Sequence, residues 1–168
     1  MDLTALFKMS YGLYVVSAAD GDDRAACLIN TATQVTAEPV RLTVAVNKDN
    51  YTAGVIDRAG AFTVCVVDET ADMPYIGNFG FRTSADYDKF EKYGCETSPV
   101  GSPYSPEHIC AVVSCKLIDR VDVGTHYIFV GEAVDAAKVG DQNPMTYSYY
   151  HSVLKGKTPP KASSYMAQ

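Results

Sequence analysis

No Cys-x-x-Cys occurs anywhere in the chain, so neither a zinc ribbon nor a rubredoxin-type iron site is encoded. No Gly-x-Gly-x-x-Gly follows a strand-like run, and Gly77-Asn78-Phe79-Gly80 is no substitute for it, which disfavours a dinucleotide-binding Rossmann domain. The serines lack a Gly-x-Ser-x-Gly elbow, and neither His-x-x-x-His nor an EF-hand spacing is present. No apolar run approaches the roughly 18 residues of a membrane span, and no basic-then-apolar signal segment opens the chain. The protein therefore reads as cytoplasmic. Basic residues are too few for a general nucleic-acid role: 14 Lys and Arg stand against 20 Asp and Glu, a net charge of −6. The cysteines (Cys27, Cys65, Cys95, Cys110, Cys115) are odd in number and irregularly spaced. That is a poor disulfide framework, suits a reducing compartment, and marks them as mostly buried core residues.

The chain is 168 residues long, 47% hydrophobic and 20% charged, enough for one domain with a substantial core. Leu3, Leu6 and Phe7 have helical spacing, with Gly12 as the stop. Leu13 to Ala18 and Arg24 to Asn30 read as a hairpin around Asp20-Gly21-Asp22-Asp23. Arg41 to Val46 is a β-rich run, and Asp49-Asn50 can cap a helix from Tyr51 to Ala59 that Gly60 ends. Phe62 to Val67 is a buried-type strand. Thr70 to Phe90 reads as irregular, with room for a short helix over Ser84 to Tyr93. His108 to Arg120 and His126 to Ala137 are two long strand-like runs. The segment from Tyr147 reads as loop, carried away from the core by Pro159-Pro160. Six or more strands without βαβ alternation imply an all-β barrel with peripheral helices over residues 1–160 and a tail over 161–168.

Three segments carry the chemistry. Asn30 to Pro39 places Asn30, Thr31, Thr33 and Gln34, uncharged donors and acceptors, beside the small Ala32; it suits a planar, heteroatom-rich ligand, or is a Thr-rich edge strand. Asn47-Lys48-Asp49-Asn50-Tyr51-Thr52 joins a strand to a helix. The free amides of the helix start, the Lys48 charge and two hydroxyls suit a phosphate, or the segment is an ordinary capped helix with a solvated lysine. Phe79-Gly80-Phe81-Arg82-Thr83-Ser84 offers aromatics to cover a ring and Arg82 and Ser84 to reach a phosphate, or is an aromatic loop packed on the barrel. Acid–base pairs are scarce, so an enzyme of this composition borrows its chemistry from a cofactor.

These segments, with Asn78-Phe79-Gly80-Phe81 ahead of Asp88-Lys89-Phe90, and Gly124-Thr125-His126 with Val130-Gly131-Glu132, resemble the flavin reductase family. So do Tyr147-Ser-Tyr-Tyr-His151 and Leu154-Lys-Gly-Lys-Thr-Pro-Pro160, which look like the tail of the branch that includes ferric reductase, flavoredoxin and the reductase part of high-molecular-weight rubredoxin. The similarity runs from about Tyr11 to Pro160. Thr and Gln stand where many wider relatives have serines, and Val40 where they have a second proline after Pro39, which fits that branch.

The resemblance implies a mainly β fold, the FMN-binding split barrel, a six-stranded antiparallel Greek-key barrel with peripheral helices, assembled as a homodimer. It implies that Asn30, Thr31, Ala32, Thr33 and Gln34 contact the flavin ring edge and ribityl chain, and that Asn47, Lys48, Tyr51 and Thr52 lie nearer the phosphate. Phe79, Arg82, Ser84 and Lys89 would complete the cover. His126 matches a strand-start histidine near the nicotinamide pocket, where it would orient the nicotinamide or protonate reduced flavin. The implied activity passes electrons from NAD(P)H through FMN, bound tightly or as substrate, to flavin, ferric iron or a redox protein such as rubredoxin. A fused rubredoxin module would need four cysteines beyond Pro160, so the acceptor is expected to be a separate molecule. The alternatives are a flavoredoxin-like carrier reduced by a protein partner and a non-catalytic FMN-binding protein.

Overall fold

The computed structural model describes residues 1–165, with the backbone alone for Leu3 and Phe7; residues 166–168 of the expected tail lie outside it. A 3-10 helix over Leu3–Lys8 opens the chain and stops at Met9, three residues before the expected Gly12. Gly12 instead bridges to Thr146.

Strands β1 (Tyr14–Asp20) and β2 (Asp23–Ile29) form the expected hairpin, paired from Asp20 with Asp23 to Tyr14 with Ile29. Gly21 takes φ 59° at its tip, a conformation that favours glycine in a two-residue turn. The chain continues through β3 (Ala32–Ala37), β4 (Val40–Asn47), α1 (Tyr51–Ala59) and β5 (Ala61–Val67). After α2 (Met73–Gly80), a two-stranded ladder pairs β6 (Glu96–Thr97) with β7 (Pro103–Tyr104). The long strands β8 (Ile109–Asp122) and β9 (His126–Lys138) precede α3 (Tyr147–Ser152).

The main sheet has seven strands in the order β2-β1-β5-β8-β9-β4-β3, antiparallel throughout. Six of them make the barrel wall, and β3 adds one more at the edge as the Thr-rich strand. The sheet rolls until β2 approaches β4, but no ladder joins the two, so the barrel is split there. Period-two alternation explains its two apolar faces. Val16, Ala25, Cys27, Val64, Val44 and Val46 point inward with Phe62 and Phe129. Val15, Ala26 and Cys65 point outward, where Tyr75, Ile76 and Phe79 of α2 cover them with Phe90 and Tyr93. Four cysteines are buried and Cys95 is exposed. Among the described residues no helix is long and apolar enough to cross a membrane.

Three local expectations need correction. Met73–Gly80 is a helix rather than irregular chain: the Asp72 carboxylate accepts from the Tyr75 amide at 2.9 Å, Pro74 sits in the first turn, and Tyr75, Ile76 and Phe79 are buried along one side. Ser84 to Tyr93 is a run of turns rather than a helix. There the Thr83 hydroxyl takes the Ala85 amide and the Asp88 carboxylate takes the Phe90 amide, local bonds that compete with helix formation. Tyr147–Ser152 is a short helix capped by the Thr146 hydroxyl, not loop, and the chain after Pro159-Pro160 turns back onto the barrel.

Candidate functional site

The split in the barrel positions the site. The C-terminal ends of β2 and β4 and the first residue of β9 converge, with Asn47 directly opposite His126 in the β4–β9 ladder. Between them lies a cleft of about 280 Å3, close to the lower end of the roughly 300–1,000 Å3 typical of small-molecule sites. Leu13, Leu28 and Val46 supply apolar lining, and Gly80 to Thr83 border it from the end of α2.

Of the residues picked out from sequence, Asn30, Thr31, Asn47, Tyr51, Arg82 and His126 line this cleft. Asn30 is buried, donates from Nδ2 to the Ser164 hydroxyl at 2.6 Å, and accepts from Ser163 Oγ at 3.2 Å. Thr31 Oγ1 donates to the Ala45 carbonyl at 3.3 Å, while the Ala45 amide returns a bond to the Thr31 carbonyl at 3.1 Å. Asn47 Oδ1 accepts from the Asp49 amide at 2.9 Å, leaving Nδ2 to face the Lys161 carbonyl at 3.4 Å. The His126 ring meets the Thr125 hydroxyl through Nδ1 at 2.9 Å and the Lys161 carbonyl through Nε2 at 3.3 Å. A neutral ring protonated at Nε2 satisfies both partners. Tyr51 donates its hydroxyl to the Asp23 carboxylate at 2.9 Å, and this bond raises the phenol above its ordinary pKa. Arg82 stacks its guanidinium 4.2 Å from the centre of the Tyr87 ring.

The other candidates lie elsewhere. Ala32, Thr33 and Gln34 sit on β3 opposite Val44, Thr43 and Leu42, and the Gln34 amide folds onto the Thr36 carbonyl. Lys48 points to the far side of β4, 2.5 Å from Asp122. Thr52 is fully buried with its hydroxyl unpartnered, and Phe79 is core, its ring tilted 52° against that of Tyr75 with centres 4.9 Å apart. Ser84 ties itself to Ala26, accepting from its amide and donating to its carbonyl. Lys89 is 2% exposed and donates to the carbonyls of Ala26 at 2.7 Å and Phe79 at 2.9 Å. Burial lowers its ammonium to about 8, against a smaller opposing influence of Cys27. Ser84 and Lys89 line a separate polar pocket with Arg24 and Asp88.

Sequence reasoning passed over Tyr147 and Tyr150 of α3, whose rings stack 17° from parallel, and Lys161 and Ser163 of the returning chain. The signal was a tyrosine-rich run followed by Lys-Gly-Lys-Thr-Pro-Pro, which on hydropathy alone reads as solvated loop. The charged groups of the cleft lining are Arg82, Lys161 and Asp49, so cations outnumber the acid.

A family model described as a flavin reductase like domain matches residues 6–157. The chain belongs to the flavin reductase-like family. This flavin reductase-like oxidoreductase is 41% identical over 165 residues to a ferric-chelate reductase (NAD(P)H) of Archaeoglobus fulgidus, covering 98% of each chain. It is 38% identical to the high molecular weight rubredoxin of Moorella thermoacetica, over 98% of its own length and 72% of that protein's. Among solved structures, an NADH:FAD oxidoreductase of Streptomyces globisporus superposes with a TM-score of 0.77 over 84% of each chain at 20% identity, a likeness of fold. The flavin reductase-like fold accounts for the split barrel whose open seam forms the cleft.

Proposed function

We propose that the protein is an FMN-dependent reductase that takes electrons from NAD(P)H and passes them to free flavin, a ferric complex or a redox protein such as rubredoxin. The observation that carries this reading is the convergence of Asn30, Thr31, Asn47 and His126 on one apolar-floored cleft. The chemistry of that lining fits the cofactor. Leu13, Leu28 and Val46 offer a dry surface to a ring system, and two amides and a hydroxyl offer donors and acceptors to a heteroatom-rich edge. Arg82 and Lys161 offer positive charge to a phosphate. The likeness to a ferric-chelate reductase (NAD(P)H) over nearly the whole chain supports the donor and the acceptor class.

When bound, FMN would supply the step that the side chains lack, accepting a hydride from the nicotinamide and releasing electrons onward. The residues position and insulate. Asn30 and Asn47 orient the ring edge, Leu13 and Leu28 exclude water, and the His126 ring orients the nicotinamide beside the cleft. In this reading Lys48, Ser84 and Lys89 support the barrel around the cofactor.

The reading also takes the protein to be a cytoplasmic homodimer. Its support is a set of half-exposed apolar side chains on the outer parts of β3, β8 and β9: Val35, Ile118, Val121 and Val134. Sedimentation at micromolar concentration returning a monomer would sink the dimer.

The test of function is anaerobic mixing of the flavin-loaded protein with NADH and NADPH. Rapid bleaching of the flavin band is the expected result. Bleaching by a reduced protein donor alone would favour a flavoredoxin-like carrier. A protein that does not take up FMN would end the proposal.

A further inference from the structure

The residues lining the cleft from the last part of the chain form a continuous span with two anchored ends. At its base α3 grips the chain. The Tyr150 hydroxyl donates to the Lys157 carbonyl at 3.0 Å, the Tyr147 and Thr158 hydroxyls meet at 2.7 Å, and His151 Nδ1 faces the Gly156 carbonyl at 2.9 Å. Gly156 is needed for this: a Cβ there would stand 2.0 Å from the Tyr150 ring, so only glycine lets the backbone leave across that face. At the far end, the Lys161 carbonyl faces Asn47 Nδ2 and His126 Nε2, and Ser163 and Ser164 engage both ends of the Asn30 amide. Between these ends Pro159, Lys161, Ala162 and Ser163 wall the cleft, leaving its volume open beneath them.

We propose that Thr158 to Ser164 is a strap that closes over the flavin and retains it, with the Lys161 ammonium as the anion-binding group of that wall. The inference rests on the reading of the cleft as a flavin site. No side chain from Lys157 to Tyr165 is fully buried, so polar contacts, with the half-buried Pro159 and Ala162, hold the closed strap. Such bonds replace bonds to water and are individually weak in net terms, so the strap opens on thermal fluctuation and reseats around a ligand. Lys161 Nζ now donates to the Asp49 carbonyl at 3.2 Å, one residue before the Asn50 side chain that caps α1. There it stands on the same side of the cleft as the strand-to-helix turn, within reach of an anion bound beside that turn.

The experiment compares flavin release from the full chain, from a chain ending after Lys157, and from the full-length Ser163→Ala/Ser164→Ala variant. Release is followed by the recovery of flavin fluorescence on dilution. The shortened chain should release flavin about tenfold faster or more, as expected for the loss of a few net hydrogen bonds. The double variant should fall between. Lys161→Ala, which keeps the strap carbonyl, should release faster at low salt and approach the full chain at high salt. Unchanged release from the shortened chain, or slower release as for a strap that competes with flavin, overturns the proposal. Trypsin cleavage after Lys161 supplies a readout that needs no flavin: it should be faster in the double variant than in the unaltered chain, and equal rates overturn the closed strap. This arm decides the question even where the shortened chain fails to fold. A full chain that takes up no flavin would instead refute the function itself.

Discussion

Lys48, just after β4, and Asp122, the last residue of β8, face each other, Nζ to Oδ1 at 2.5 Å, with the same ammonium 4.9 Å from the centre of the Tyr127 ring. The pair turns Lys48 away from the cleft and holds the Asp122 carboxyl below its ordinary value, Lys48 first and the Gly124 amide second. Lys48→Ala is therefore expected to leave flavin affinity within about twofold at low and high salt, while Arg82→Ala weakens it more at low salt. Fluorescence titrations at two ionic strengths check both. Weakening by Lys48→Ala comparable to that by Arg82→Ala would return Lys48 to the site.

Asn47 and His126 are cross-strand partners, so the histidine is fixed by the ladder as well as by its own hydrogen bonds. His126→Ala should leave flavin bound and slow its reduction by nicotinamide by about tenfold or more, as loss of orientation does. Stopped-flow reduction at saturating flavin reads this. An unchanged rate would remove His126 from nicotinamide positioning.

Gly131 on β9 faces the barrel interior, where an added Cβ would meet the Phe62 ring at 2.5 Å and Cys115 Cβ at 2.7 Å. Neither neighbour is free to move, since Phe62 and Cys115 are fully buried. Gly131→Ala should cost about 1–3 kcal/mol of stability by overpacking. Urea unfolding with an unchanged slope is the measurement, and a midpoint equal to that of the parent would contradict the packing argument.

Lys89 predicts a pH effect whose sign follows from its lowered folded value. Above about 8 the folded protein sheds this proton, while the unfolded chain keeps it until the ordinary value of 10.5. Stability from this group is thus lowest below pH 8 and rises through that window. Burial raises the thiols of Cys27, Cys65, Cys110 and Cys115, which act in the opposite sense once their unfolded counterparts ionise near 9.0. The comparison to make is therefore the parent against Lys89→Met: the parent should gain on the variant by up to about 2 kcal/mol between pH 8 and 10. Parallel stability curves would show that Lys89 does not titrate in that range.

Much of the barrel was legible because its signals are local. The Asp20-Gly21-Asp22-Asp23 turn, the Asn50 cap and the Gly60 stop each act within a few residues, and the structure has the hairpin and α1 where they point. The helix at Met73–Gly80 was hidden by its glycines, although Asp72 and Pro74 mark its start. The cleft was legible only in part. Asn30, Asn47 and His126 sit at strand ends that the fold brings together, whereas Phe79 and Thr52 share the same motifs but face the core. Which way a motif residue points depends on strand register, a long-range property. The role of Lys161 in the cleft lining was invisible for the same reason, since its neighbours lie 112 to 114 residues earlier on β4 and the turn after it, and 35 earlier at His126.

The bond between Asn30 and Ser164 joins residues 134 positions apart. Closing so long a loop gives nothing until nearly the whole chain is in place, and it adds little to the stability of a sheet already complete at Lys138. The barrel can thus form without residues 158–164, while the cleft acquires that wall only once they have folded back onto Asn30 and Asn47. Enclosure of the site is thus a step that follows the barrel rather than one that builds it.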